Sequence, residues 1–462
     1  MAATDSRHDH DSTGRGAMPA DALWGAQTEL ARQNFALSDL RLPRRFIAAL
    51  ALVKWAAARA NAALGALPEP TAAAIARAAM AIAVGDYPGQ FPLDVFQTGS
   101  GTSTNMNLNE VIARLAGAEL GRAVHPNDEV NRSQSSNDCV PTAIHLAAAL
   151  ALQHQLLPAL AELAAAIERR AREFEAVVKT GRTHLMDALP MTLGEELGAW
   201  RTQVLDAAAR LAATTPRLWR LAQGATAIGT GLNAPAGFGA RVAAELAGHT
   251  GLAFVPHPDP FAAVACQDTA VELSGQVRGV AITLLKIAND LRWMNSGPNA
   301  GLGEIALEEL QPGSSIMPGK VNPVVPEAVA MAATQVLGYD AAIASAGASG
   351  NFQLNVMLPL IAYNLTSSLE LMAAAAQLLA RRALATFTID RARLAAPLLR
   401  NPLLVTALNP LIGYEAGAAI AKEAVSSGAP LIEVALRRTG LSREQLEQLL
   451  DPARLSRRPT PP

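Results

Sequence analysis

The strongest limit on what this chain can fold into is a set of long runs in which apolar residues recur at helical spacing. Leu146, Leu150, Leu157, Leu160, Ala164 and Ile167 follow one another at intervals of 3, 4 and 7. Pro158 falls inside that run and predicts a kink. A second run, Val271 to Met294, is apolar and helix-favouring, and it ends in Asn295-Ser296-Gly297-Pro298, a strong stop signal. Met331 to Leu337 and Leu369 to Leu379 continue the theme with alanine and leucine, both good helix formers. Alternating β-branched stretches are nearly absent. Aromatic residues make up only 4%, so small side chains dominate and helices can approach closely. These features predict an all-α fold around a long central helical bundle. Several helices are apolar on more than one face, which predicts an oligomer whose core is a larger bundle.

The segments either side of the bundle differ from it. Residues 1–134 mix shorter helices with Gly- and Pro-rich loops. Residues 135–391 carry the long helices. Residues 392–462 hold shorter helices and end in a polar tail, RRPTPP. Three domains with those limits are expected, and no internal repeat is visible.

Composition narrows the function. Half of the 462 residues are hydrophobic and 17% are charged, which suits a large buried core and argues against disorder. With a net charge of −2 and no basic block, nucleic acid is not an expected partner. Cys139 and Cys266 stand far apart, and no CxxC or HExxH is present. Neither a structural zinc site nor a disulfide framework is expected, and so few cysteines suit a reducing compartment. The opening MAATDSRHDHDSTGRG lacks an apolar core, so no signal peptide is expected and the cytoplasm is the expected location. His8-Asp9-His10 offers at most a weak metal site in a tail expected to be mobile. Ala341 to Leu369 carries no charge, but Asn351, Gln353, Asn355, Pro359 and Asn364 interrupt it. It reads as a helix inside a bundle rather than a membrane span.

Four polar clusters stand out against this apolar background. GSSIMPGKVN, residues 313–322, gathers Ser314, Ser315, Lys320 and Asn322 among glycines and prolines that punctuate regular structure. It reads either as a surface loop or as a lid with a reactive serine and a carboxylate-binding lysine. TGSGTSTNMNLNE, from Thr98 to Glu110, offers Ser100, Thr102 and Asn105 beside two glycines. An anion-binding nest of open amides and a helix N-cap fit it equally. HPNDEVNRSQSSND, from His125 to Asp138, places Ser135, Ser136 and Asn137 just ahead of the long helix, where capping is the favoured reading. In GRTHLMDALPMTLGEE, from Gly181 to Glu196, the Thr183-His184 pair makes an acid–base role plausible. Two phosphate motifs are excluded. Thr104 stands where a dinucleotide fingerprint needs its third glycine, and Ser314 and Val321 break a P-loop around Gly319-Lys320.

Together these stretches resemble the fumarase/aspartase superfamily. GSSIMPGKVNP is similar to its signature loop almost letter for letter, and the resemblance to class II fumarases runs from MPADALWGAQT (Met18 to Thr28) to ALNPLIGYE (Ala407 to Glu415). TGSGT with Ser100, HPND with His125 and QSSND with Ser136 look like fumarase. NPVVPEAV, Thr102-Ser103 and LNPLIG look more like aspartase, and Glu129 stands where the family often has His or Asp. Aspartate ammonia-lyase is therefore the alternative, and a non-catalytic structural homologue a more distant one.

The resemblance implies a three-domain, all-helical homotetramer in which three subunits build each active site without metal or cofactor. The substrate it implies is a small dicarboxylate. It gives Ser314 the role of base for a C–H proton, with Ser315 holding the aci-carboxylate. His184 would polarise water, with Glu327 as its acidic partner and Thr183 as a hydroxyl contact. Substrate carboxylates would be bound by Lys320, Asn322, Ser100, Thr102, Ser135, Ser136 and Asn137. Arg122, His125, Asn127 and Asp128 would form a second anion site.

Overall fold

The computed structural model describes residues 6–11 and 14–456. The RRPTPP tail and the side chains of His8-Asp9-His10 lie outside the described part. Six long helices dominate the described residues: Arg44–Ala63, Ser136–Glu173, Leu193–Ala212, Asp268–Met294, Val324–Ala348 and Leu358–Leu378. Their cores follow the expected spacing. In Asp268–Met294 the buried side chains include Leu273, Val277, Val280, Leu284, Ile287 and Leu291. That stripe is one helical face. The kink expected at Pro158 takes the form of a π-turn, Leu152–Leu156, just ahead of the proline. Widening the helix there accommodates a residue that cannot donate a backbone bond.

Near the N-terminus Ser6–Asp11 pairs antiparallel with Gly14–Pro19. One expectation is corrected: the uncharged stretch from Ala341 to Leu369 belongs to two helices rather than one. Asn355 lies fully buried between them and donates to Ala346 O at 2.9 Å, tying the turn to the end of the first helix. Among the described residues the few strands form four two-stranded sheets within a mainly helical fold. Two of these pair only two residues per strand, too short to carry a pattern in sequence.

The chain divides into two compact units. The first comprises residues 1–158, 209–281 and 333–373. There the helices Asp268–Met294 and Val324–Ala348 are joined by buried Asp340, which accepts from Ser274 Oγ at 2.6 Å and Arg278 Nη1 at 2.7 Å. The second comprises residues 159–208, 282–332 and 374–462. There Trp200 Nε1 donates to Asp290 Oδ2 at 3.2 Å, and the Arg170 guanidinium packs over the rings of both Phe174 and Phe387. Arg44–Ala63 and Ser136–Glu173 are long and apolar enough to cross a membrane, but 72% and 61% of their apolar windows are buried inside the fold.

Candidate active site

In the first unit the helix Ser136–Ala151 starts from Ser135, held in extended backbone. Ser135 Oγ accepts from Asn137 N at 3.2 Å, and Asp138 Oδ1 accepts from Ser135 N at 3.0 Å, completing a capping box. The other oxygen of Asp138 accepts from the amides of Gly224 (3.0 Å) and Thr226 (2.9 Å). Burial pushes the Asp138 carboxyl up to about 6, against the pull of those amides and of the Lys54 charge. Around this cap, Ser136 Oγ accepts from Asn105 Nδ2 at 3.0 Å, and Asn137 Nδ2 donates to Ala227 O at 2.8 Å.

The TGSGT stretch behaves differently from an open nest. Gly101, in the left-handed region at φ 74°, precedes the helix Thr102–Leu120. The amides of Ser103 and Thr104 are already taken by Thr98 Oγ1 (3.0 Å) and Gln97 Oε1 (2.9 Å). Side-chain acceptors upstream thus satisfy donors that the sequence left open. What remains for a ligand is the hydroxyl pair Ser100 and Thr102, 2.7 Å apart. Gly99 is required by its neighbour, because a Cβ there would sit 1.7 Å from Val356 O.

The Arg122–Asp128 loop carries its own anion. Glu129 bonds Arg122 Nη2 at 2.8 Å and the backbone N–H of His125 at 2.7 Å. The Arg122 guanidinium holds the Glu129 carboxyl below its usual range. His125 Nδ1 accepts from the amides of Asn127 (3.3 Å) and Asp128 (3.0 Å), so it caps the π-turn Pro126–Val130.

In the second unit Thr183 and His184 lie at the tip of a hairpin rather than in a loop. Val178–Thr183 pairs with Met186–Thr192, and His184 (φ 56°) and Leu185 (φ 61°) form the two-residue turn. Positive φ at both central residues is the geometry that matches strand twist. The root of the hairpin is pinned electrostatically. Buried Lys179 bonds Glu196 at 2.6 Å and Glu304 at 2.7 Å, and Glu304 also bonds Arg182 at 2.8 Å.

The GSSIMPGKVN stretch is a loop closed on itself. Gly313 N donates to Lys320 O at 2.8 Å, and Asn322 Nδ2 donates to Gly313 O at 2.7 Å. A Cβ on Gly313 would lie 2.2 Å from Lys320 O, so only glycine closes the stem. Ser314 Oγ accepts two backbone N–H groups, from Ile316 at 3.2 Å and Met317 at 3.1 Å. Two donors on one hydroxyl oxygen favour negative charge there. Ser315 and Lys320 are exposed. Beside the loop is a cavity of about 910 Å³, lined among others by Lys320, Asn322, Glu327, Arg292, Asn295 and Arg393.

The expected site residues thus fall in two sets. Ser100, Thr102, Ser135, Ser136, Asn137 and the Arg122–Asp128 loop belong to the first unit. Thr183, His184, Ser314, Ser315, Lys320, Asn322 and Glu327 belong to the second. Sequence reading missed the buried supports beneath each set: Lys54, Asp138, Lys179 and Glu304. Lys54 did leave a signal, as a lone charge in the apolar stretch ALVKWAAA.

A model of the lyase family matches residues 14–338, and a model of the fumarase C C-terminus matches residues 404–457. The fold is shared with the solved class II fumarase of Schistosoma mansoni, at TM-score 0.95 and 35% identity, covering 98% of this chain and 99% of that one. A solved fumarate lyase:delta crystallin from Brucella melitensis bound to cobalt gives TM-score 0.92 and 44% identity, covering 98% of this chain and 100% of that one. These likenesses define a lyase of the fumarase type. Among curated relatives, fumarate hydratase class II 2 of Pseudomonas aeruginosa is 56% identical over 453 residues, 98% of this chain and 99% of its own length. The chain belongs to the class II fumarate hydratase family.

Proposed function

We propose that this chain is a fumarate hydratase, adding water reversibly and anti across fumarate to give L-malate through an aci-carboxylate intermediate. The observation that carries the proposal is Ser314 Oγ beneath two backbone amides, in a loop that also presents Lys320. A serine is a poor base in water, and amides aimed at its oxygen favour the alkoxide. In the dehydration direction, from L-malate to fumarate, Ser314 takes the C3 proton, and in hydration it returns it. Ser315, Lys320 and Asn322 hold the carboxylate on which charge accumulates. His184, partnered by Glu327, handles the departing hydroxyl as water, with Thr183 beside it. Ser100, Thr102, Ser135, Ser136 and Asn137 bind carboxylate. The chemistry as proposed draws on side chains and backbone amides alone.

The two sets come together, in this reading, between subunits of a homotetramer, with three chains contributing to each site. Ile282 (53% exposed), Trp293 (53%) and Met331 (69%) support it, because in one chain they leave apolar helix faces uncovered. The expected domain limits, 134 and 391, and a cytoplasmic location belong to the same proposal.

The test is ultraviolet absorbance of fumarate as it appears from L-malate, run in parallel with L-aspartate. Rapid signal from malate alone is expected. Signal from aspartate alone would replace this reading with an ammonia-lyase, and silence with both would overturn it. Light scattering tests the tetramer, and a fully active monomer would refute the shared site.

A further inference from the structure

We propose that Lys54 is a positioning residue that sets the direction of the Ser136 hydroxyl through a chain of side-chain amides. The inference rests on the reading of Ser136 as a carboxylate-binding group.

Lys54 projects from the helix Arg44–Ala63 and is 0% exposed. A buried ammonium is costly unless each N–H finds an acceptor. Lys54 Nζ finds three: Asn131 Oδ1 at 2.8 Å, Gln134 Oε1 at 3.1 Å and Cys139 Sγ at 3.7 Å. The cation thereby dictates that Asn131 turns its oxygen inward. Asn131 Nδ2 then donates to Gln134 O at 3.2 Å. Because Asn131 Oδ1 is an acceptor, Asn105 must offer it a nitrogen, and Asn105 Nδ2 lies 3.2 Å away. The same nitrogen reaches Ser136 Oγ at 3.0 Å. Ser136 therefore accepts from the protein, and its single hydroxyl proton is left to donate outward. That polarity suits a ligand carboxylate. Asn105 Oδ1 and Asn109 Oδ1 remain buried without a partner, the cost of holding this orientation.

The same helix grips the segment a second time. Asn61 Nδ2 donates to Arg132 O at 2.9 Å, and Ser133 Oγ donates to Asn61 Oδ1 at 2.7 Å. Ser133 sits at φ 64°, a strained conformation for a non-glycine residue, which persists only when its surroundings fix it. With methionine at position 54, nothing obliges Asn131 and Asn105 to keep their polarity, and Ser136 is free to donate inward.

The experiment compares wild type, Lys54→Met, Ser136→Ala and the double variant in L-malate turnover, with fumarate affinity measured by calorimetry. Lys54→Met is expected to raise KM and the fumarate Kd about tenfold while kcat changes less than threefold, since binding by Ser136 is common to ground and transition states. In the Ser136→Ala background, the Lys54→Met change should add less than twofold. A wild-type KM in Lys54→Met, or two effects that multiply in full, would overturn the proposal. Should Lys54→Met prove insoluble, Asn105→Leu cuts the same chain with Lys54 in place. It must then show the same rise, and wild-type affinity there would refute the idea. Wild type that binds fumarate but leaves malate unchanged would count against the hydratase reading alone, while the calorimetric comparison would still decide the role of Lys54.

Discussion

The two serine-bearing stretches, 131–138 and 313–322, are held in opposite ways. The first rests on buried groups distant in sequence: Lys54 beneath Asn131 and Gln134, Asn61 beneath Arg132 and Ser133, and Asp138 bound to the amides of Gly224 and Thr226. The second, among the described residues, is tied to itself, by Gly313 to Lys320, Asn322 to Gly313, and the amides of Ile316 and Met317 to Ser314. The difference teaches where each kind of work is done. Carboxylate binding gains from donors fixed before the ligand arrives, because no reorganisation follows. A base that must be activated suits a loop whose closure is a separate event.

If that contrast is right, substitutions in the loop cost turnover and those in the cradle cost stability. Ser314→Ala is expected to lower kcat by about 10³-fold or more, with an unchanged melting temperature by calorimetry. Asp138→Ala should do the reverse. It strands three amides and the Lys54 charge, and should lower stability by about 3 kcal/mol or more in urea titration. Gly313→Ala brings a methyl to 2.2 Å from Lys320 O. Opening the stem should cost about 10–100-fold in kcat/KM, without a change in the urea midpoint. A loop variant that unfolds the protein, or a cradle variant that leaves it intact, would break the comparison.

Acid sharpens it further. Burial pushes the Asp138 carboxyl up to about 6 in the fold, well above the usual carboxylate range. A carboxyl raised on folding contributes stability that is fully present below its unfolded value and is lost as pH rises towards its folded one. The urea midpoint of wild type should therefore carry a component falling between about pH 4 and 6, worth about 2–3 kcal/mol. That component should be absent from Asp138→Ala, and an identical pH slope in both proteins would contradict the assignment. The smallest effect is expected at Glu129→Gln. It loosens an exposed ion pair with Arg122 and should change stability by less than about 1 kcal/mol, with kcat/KM within about twofold by steady-state assay.

Much of this was legible in the sequence. Spacing located the helices Ser136–Glu173 and Asp268–Met294, because burial of one face at a period near 3.6 leaves a mark in the order of residues, whereas Arg44–Ala63 and Leu193–Ala212 were not singled out. The four polar clusters were visible as residues that waste helix propensity in an apolar chain. What stayed hidden depends on partners far away. Lys54 and Asn131 are 77 residues apart, and Asp138 and Thr226 are 88 apart. Nothing local announces that such a lysine will sit under such a turn. The amides of Ser103 and Thr104 seemed open because their caps, Thr98 and Gln97, are ordinary polar residues upstream. His184-Leu185 did not read as a hairpin turn, since neither residue is the Asn or Gly usual at positive φ.

The most direct test of the account is calorimetric titration of the Ser314→Ala protein with fumarate, beside its turnover of L-malate. The account predicts fumarate affinity within about threefold of wild type, because the cradle is intact, together with turnover near the limit of detection. Loss of affinity along with activity would mean that the loop serine binds rather than reacts. Full activity would remove Ser314 from the chemistry altogether.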